Sequence, residues 1–343
     1  MKKLLNTLFV TTPEAYLSLD GTNVVVFKGE ERLGRVPLHN LESIITMGYT
    51  GASPALMGAC MQNNISLIFL TATGRYRGRV IGQSRGNVVL RKKQYLVSEN
   101  IVESCKIARN FIVGKLYNQR WMLERMTRDH GLRIDVELFK QVSYELKCFI
   151  EVIRVLEDLD SLRGVEGQAA NRYFLLLDQM ILQQKDTFQF SGRSRRPPLD
   201  SVNAMLSFSY TLLANDVASA LESVGLDAYV GFMHRDRPGR TSLALDLMEE
   251  LRSIYADRFV LTLINRKVIS DKDFIKKENQ AVLFTDEGRK KFINAWQEKK
   301  QEKIQHPFLD EKISWGLVPY AQSLLLARFL RGDLDEYPPF LWK

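Results

Sequence analysis

The sequence predicts a two-domain α+β protein: an N-terminal antiparallel β domain over residues 1–92, then a mainly α-helical domain over 93–343. Three observations carry this reading. The length of 343 residues sets a soft expectation of about two domains. The first part is filled by short runs rich in Val, Leu, Phe and Tyr, separated by turn signals. From about Lys92 the apolar spacing changes to that of helices.

The elements follow in order. Leu5–Thr11, Ala15–Leu19, Val24–Lys28 and Glu31–Val36 are expected strands. They are divided by Thr12-Pro13-Glu14, Asp20-Gly21-Thr22-Asn23 and Lys28-Gly29-Glu30, a regular spacing that suggests an antiparallel meander. Ser43–Met47 is a further strand. Ser53-Pro54 opens a helix over Ala55–Gln62, because proline suits the first helical turn. The unbroken apolar run Ile65–Leu70 marks a buried strand. Val97–Arg128, one helix or two joined, places Ile101, Cys105, Ala108, Ile112 and Leu116 at helical spacing and stops at Asp129-His130-Gly131. Leu138–Leu156 is the next helix. Glu166 lies between two glycines at the start of a helix running through Met180, where a carboxylate suits the macrodipole. Phe188–Leu199, with Arg193, Arg195 and Arg196, reads as an exposed, mobile basic loop before an apolar helix over Val202–Val224. Phe259–Ile264 is a short hydrophobic segment and Val282–Phe284 a strand; Thr285 caps a charged helix through Lys303; Trp315–Leu330 is a last helix. The aromatic, proline-containing end, Asp335–Lys343, either folds back or serves as a docking tail.

Composition narrows the function classes. With 45% hydrophobic residues the chain can bury real cores, yet no apolar run is long enough to cross a membrane. The start, MKKLLNTLFVTT, is too short in its apolar part for a signal peptide and lacks a small-residue cleavage site, so a cytoplasmic protein is expected. Cys60, Cys105 and Cys148 are far apart and indicate neither a disulfide framework nor a zinc site. The net charge of +8 is uneven: residues 1–93 hold 12 Lys/Arg against 5 Asp/Glu. That imbalance fits a nucleic-acid partner, though it is also ordinary solubility charge. Gly74–Lys93 holds five Arg and two Lys and no acid. Arg75, Arg77 and Arg79 alternate, so on a strand they would share one face, with Tyr76 on the other. Such a row is either a track for a phosphate backbone or a solvated edge strand.

The stretch Gly231–Ser253, GFMHRDRPGRTSLALDLMEELRS, carries the densest chemistry. His234 precedes a basic hinge with Arg235, Arg237, Pro238, Gly239 and Arg240, after which Thr241 or Ser242 can cap a helix. Asp246, Glu249 and Glu250 fall at i, i+3 and i+4, on one helical face. Like charges at that spacing repel by a few tenths of a kcal/mol per pair, so a compensating cation is expected. One histidine with carboxylates suits Mn²⁺ or Mg²⁺, and neighbouring arginines suit a phosphate substrate. A loop histidine followed by a solvated acidic helix face remains the alternative.

Together these stretches resemble the integrase of CRISPR adaptation, the CRISPR-associated endonuclease family that inserts new spacers. The resemblance rests on the β start with SLDG, EGQAANRYF around Glu166, RRPPLDSVNAMLSFSYTLL, GFMHRDRPGRTSLALDLMEELR and LTLINR…FTDEGRKKFINAW…HPF, in that order. It implies an N-terminal β domain that mediates a homodimer and a helical domain that holds the metal. It places the metal ligands at Glu166, His234 and Glu249, the last a position where the family often has Asp, with Asp246 as a second acid that binds a second metal or orients the first ligands. It implies transesterification of duplex DNA by a 3′-hydroxyl. Arg75, Arg77, Arg79, Arg193, Arg195, Arg196, Arg235, Arg237 and Arg240 would be DNA contacts. The expected partner is a small ferredoxin-like protein of the same system, bridging two dimers, with the tail near Tyr337 and Trp342 as a docking element. A metal-dependent nuclease that cuts without joining, and a non-catalytic DNA-bridging module, stay open.

Overall fold

The computed structural model describes residues 7–71, 76–82, 88–194 and 196–342. The N-terminal strands are β1 (Thr7–Val10), β2 (Ala15–Asp20), β3 (Asn23–Lys28), β4 (Glu31–Pro37), β5 (Ser43–Met47), β6 (Gly51–Ala52), β7 (Ser66–Leu70) and β8 (Tyr76–Val80). They form two four-stranded sheets, ordered β4-β3-β2-β6 and β1-β5-β7-β8. The expected meander holds for β2, β3 and β4, whose two antiparallel hairpins turn at Gly21 and Gly29, both with positive φ. The antiparallel reading does not extend to the rest. β1–β5, β5–β7 and β2–β6 run parallel. The physical reason is the helix α1 (Pro54–Gln62) between β5 and β7, since a parallel pair needs a crossover.

The apolar runs of β5 and β7 are used on both faces. Ile44 and Leu67 join the core formed with Leu17, Val24 and Leu56, while Ile45, Met47, Ile68 and Leu70 point into the helical core.

The helical part begins with α2 (Val88–Glu99) and α3 (Ile101–His130), two helices joined at Asn100, whose side chain accepts the Glu103 amide. α4 (Val136–Val155), α5 (Leu159–Leu175), α6 (Ser201–Ser223), α7 (Ser242–Leu251), α8 (Arg258–Asn265), α9 (Asp286–Gln301) and α10 (Val318–Arg331) follow. Two short ribbons, β9 (Phe274–Lys276) with β10 (Val282–Phe284) and β11 (Lys303–Gln305) with β12 (Lys312–Ser314), flank α9. Thr285 caps α9 as expected, accepting from the Gly288 amide, and the helix stops at Gln301 because Lys303 enters β11. Among the described residues no helix is long and apolar enough to cross a membrane.

α3 runs through the helical core, and α7 lies across it. A Cβ on Gly114 would stand 2.9 Å from Cβ of Glu250 and 3.1 Å from Cβ of Pro339. One turn on, the Asn118 side chain donates to the Glu250 and Phe340 carbonyls at 2.7 Å each, stapling α3 to α7 and to the chain end. The end folds back. Tyr337 and Phe340 are buried, and the Tyr337 carbonyl accepts from Asn110 at 2.9 Å. Tyr337 is thus a core residue and not a docking element. Trp342 is half-buried, with the Arg258 guanidinium 4.5 Å over its ring. Part of its apolar surface is thus covered within the chain.

Gly114→Ala forces two helices apart against atoms fixed to their backbones, so it should destabilise the fold by about 1–3 kcal/mol. Chemical denaturation measures this; an unchanged midpoint would mean that α3 and α7 do not meet at this distance.

Candidate active site

Three acids of α7, Asp246, Glu249 and Glu250, are all buried, which overturns the solvated-face alternative. A buried carboxylate is tolerated only with its own donors or counter-charge. Each of the three has a separate set.

Asp246 serves the loop that carries His234. Its Oδ2 accepts from the Phe232 and Met233 amides at 2.6 and 2.9 Å, and its Oδ1 from the His234 amide at 3.0 Å. The same Oδ1 stands 2.5 Å from His234 Nδ1. The backbone comes this close because residue 231 is glycine: a Cβ there would sit 2.8 Å from Asp246 Oδ2. The imidazole is therefore held through Nδ1, which leaves Nε2 outside that contact. Asp246 is the orienting acid, with both oxygens committed.

Glu249 faces two cations. Lys115 Nζ lies 2.8 Å from its Oε2, and Arg252 lies 2.9 Å from its Oε1. Burial pushes its pKa up, but Arg252 and Lys115 outweigh burial and hold the carboxyl well below the usual carboxylate range. Lys115 also pairs with Glu166 Oε1, so one ammonium, 3% exposed, bridges two carboxylates from different helices.

Glu250 is structural. Its Oε1 accepts from the Tyr337 hydroxyl at 2.5 Å and Gln322 Nε2 at 2.9 Å, and its Oε2 from the Phe340 amide at 2.9 Å. Burial raises its pKa to about 7 in spite of these three donors. His306 is a second buried group in this layer. It contacts Gln322 at 3.1 Å, and burial pushes its pKa down to about 4.

Glu166 sits in the middle of α5, not in its first turn. The helix starts seven residues earlier at Leu159, where the Asp158 side chain accepts the Asp160 and Ser161 amides, and it ends at Leu175. Arg163, one turn before Glu166, donates to the Met233 carbonyl through Nε at 2.9 Å, locking α5 to the His234 loop. Neither Thr241 nor Ser242 caps α7 with its side chain. The Leu243 and Ala244 amides go instead to the Ala228 carbonyl, at 3.1 and 3.3 Å.

Beyond α7 the backbone widens into a π-helical turn, Arg252–Asp257. Arg252 lies 4.8 Å over the Tyr210 ring and Arg193 5.2 Å from the same ring. The Tyr210 hydroxyl donates to Asp257 at 2.6 Å. Arg193, Arg252 and Tyr210 form part of the wall of a cleft of about 1100 Å³, lined also by Arg79, Arg196, Lys277 and Arg289, with Tyr76 and Phe208. No Asp or Glu lines it among the described residues. Glu166, His234 and Glu249 are not in the cleft wall; Arg252 connects the two.

The arginines expected to line a DNA track differ in fate. Arg75 and Arg195 lie outside the described residues. Arg77 is exposed, 4.7 Å over the Tyr49 ring. The side chain of Arg79 is 6% exposed and pairs with Glu222 of α6, so it closes the contact between β8 and α6. Strict alternation also fails on β8. The register against β7 shifts between Phe69 and Leu70, and Tyr76 and Arg79 consequently line the same cleft. Arg193 is pinned to Asn203 at 2.5 Å and Ser207 at 3.1 Å, which corrects the mobile-loop expectation there. Arg196, Arg235 and Arg237 are exposed, Arg235 lying 3.1 Å from Asp160, and Arg240 is half-buried.

Sequence reasoning missed Lys115, Arg163 and Arg252. Lys115 carried a signal: with Phe111, Asn118, Gln119 and Met122 it lies on the buried side of α3, where a lysine needs an anion.

The family model described as CRISPR associated protein Cas1 matches residues 8–298. CRISPR-associated endonuclease Cas1 2 of Rhodospirillum rubrum is 50% identical over the whole of both chains. Two solved structures share the fold at 21% identity. A casposase bound to integration product has a TM-score of 0.83, covering 99% of this chain and 95% of its own. A Cas6-RT-Cas1–Cas2 complex also has a TM-score of 0.83, covering all of this chain and 36% of the other.

Asp246→Asn replaces an acceptor of several backbone amides by a partial donor. It should cost about 1–3 kcal/mol and speed hydrogen exchange at Phe232–His234, read by mass spectrometry. Unchanged protection there would remove Asp246 from its orienting role.

Proposed function

The chain belongs to the Cas1 family of CRISPR-associated proteins, and from that premise we propose that it is a metal-dependent DNA integrase and endonuclease of CRISPR adaptation. The 3′-hydroxyl of an incoming duplex fragment attacks a phosphodiester at the edge of a repeat, and the departing 3′-oxygen of the repeat strand takes the proton lost by the attacker. The observation that carries the reading is the convergence of Glu166 and Glu249 on one buried cation, beside an imidazole fixed by Asp246.

The donor set, one imidazole nitrogen and two carboxylates without a thiolate, fits Mn²⁺ or Mg²⁺. Glu166, His234 and Glu249 would hold the ion. In the present geometry the Lys115 ammonium stands between the carboxylates, and among the described residues no three such ligands close on one point. The ion, when bound, supplies Lewis-acid polarisation of the scissile phosphate and stabilises charge on its oxygens. The chain's own residues do the rest. Asp246 orients His234, and Arg252 holds Glu249 ionised and aligned. The basic, aromatic cleft takes the single-stranded end of the fragment, its cations along the phosphates and its rings against bases. Exposed Arg77, Arg196, Arg235 and Arg237 extend that field to the duplex, with binding that weakens as salt rises.

The relative of Rhodospirillum rubrum bears the name of an endonuclease, and the casposase was solved on an integration product. Both support phosphoryl transfer on DNA here. The Cas1–Cas2 complex among the structural neighbours supports a small partner protein, which we take to be ferredoxin-like and to bridge two homodimers. Residues 1–92 would form the dimer contact, and the protein would work in the cytoplasm.

Glu166→Ala and His234→Ala should each reduce strand transfer of labelled duplex into a repeat-bearing plasmid by at least about 100-fold, while DNA affinity changes little. Transfer at the wild-type rate by either variant would sink the site assignment. Cutting without joining by the wild type would move the function to a nuclease that uses water at the same site.

A further inference from the structure

α3 brings a lysine to a place where the proposed chemistry needs a metal. Lys115 Nζ contacts Glu249 at 2.8 Å and Glu166 as well, and its side chain is almost fully buried. The helix itself is not free to withdraw. Gly114 sets it against α7, and Asn118 ties it to the Glu250 and Phe340 carbonyls. With the α3 backbone held, the lysine can leave only by rotating its side chain, which has four rotatable bonds. Lys115 stands 2.8 Å from Glu249 Oε2, and Arg252 stands 2.9 Å from the other oxygen, Oε1. Each oxygen of Glu249 thus faces one cation, and only the Lys115 ammonium is shared with Glu166.

We propose that Lys115 is a tethered counter-cation of the metal site, which holds Glu166 and Glu249 together before the ion binds and competes with it for the same oxygens. The proposal rests on the reading of Glu166 and Glu249 as metal ligands. Without Lys115, Arg252 would still meet Glu249, but nothing would bridge the two carboxylates, and their repulsion would pull α5 from α7. Lys115 prevents that in the metal-free protein. A divalent ion entering between them must displace the ammonium, and an ammonium displaced into a buried site needs a new anion. A DNA phosphate arriving at the site is such an anion. Phosphate and metal binding then favour each other, because each removes the other's competitor, and linkage requires the effect to be reciprocal. Lys115 acts in this way as a positioning residue that makes metal binding weak without DNA and stronger with it.

The test is Mn²⁺ titration of the full-length protein, followed by calorimetry and by the loss of the free-ion electron paramagnetic resonance signal. It compares wild type, Lys115→Met and Lys115→Arg, with and without a duplex carrying free 3′ ends. Lys115→Met should bind Mn²⁺ at least about tenfold more tightly than wild type without DNA, as expected for removing a unit charge beside the ligands. Its affinity should respond less to DNA than that of the wild type. Lys115→Arg, which keeps the charge, should stay near wild type. Thermal melting gives a second readout: Mn²⁺ should raise the melting temperature of Lys115→Met by more than that of the wild type. If Lys115→Met is unfolded in chelator, Mn²⁺ should restore it. Equal or weaker Mn²⁺ affinity in Lys115→Met, or a misfolded variant that Mn²⁺ does not rescue, overturns the proposal. Glu166→Ala and Glu249→Ala separate the two levels. If they bind Mn²⁺ as the wild type does, the ligand assignment itself is wrong; if they lose it while Lys115→Met shows no gain, only the role of Lys115 falls.

Discussion

Three carboxylates within five residues of one buried helix impose the constraint on which the rest of the helical part depends. Removing a carboxylate from water is costly by several kcal/mol unless donors or cations meet it, and α7 does this three times at Asp246, Glu249 and Glu250. Their side chains share a helical face but cannot share a partner. Asp246 draws in the loop before α7, Glu249 draws in α3 and the following turn, and Glu250 draws in α10 and the chain end. Much of the tertiary architecture around α7 is the set of segments that bring a donor to one of these acids.

The division separates chemistry from scaffold. Glu250 has three protein donors and Asp246 has three backbone amides and an imidazole, so both are satisfied within the chain. Glu249 alone is met chiefly by side-chain cations, one of them shared with Glu166. A flexible ammonium can leave its carboxylate where a backbone amide cannot, so Glu249 alone has a partner that is able to move away. Position along the helix does not distinguish the three; the mobility of what faces each does.

This explains how much could be read from the chain alone. The two-part α+β organisation and most element positions were legible, because local periodicity and caps such as Asn100, Asp135 and Thr285 encode them. The parallel pairing of β5 with β7 was not, since strand runs do not state their neighbours. Within the site, His234 and the acids of α7 stood together in sequence, and Glu166 entered through family resemblance. Their partners come from far away. Lys115 lies 51 residues from Glu166, and Arg79 meets Glu222 across 143. A row of alternating arginines therefore looked uniform, although one of its members is a buried ion pair. The tail was ambiguous for the same reason: aromatic residues can dock elsewhere or fold back, and the Glu250 carboxylate that captures Tyr337 is 87 residues distant.

The π-helical turn after α7 joins the site to the cleft. A wider turn changes the register of the side chains that follow it, and here Arg252 reaches Glu249 while its guanidinium also lies over Tyr210. Tyr210 is fixed at its other end by Asp257, whose pKa burial raises to about 6 even with the Tyr210 hydroxyl donating to it. The ring thus cannot swing away from the two arginines, and Arg252 cannot follow an anion down the cleft without loosening Glu249. Charge brought into the cleft is felt at the carboxylate through a single guanidinium. Lys115 makes the matching contact from α3, so Glu249 is held ionised by one cation from each side. The electrostatics of the cleft and of the Glu166–Glu249 pair therefore meet at Arg252, a side chain that both share.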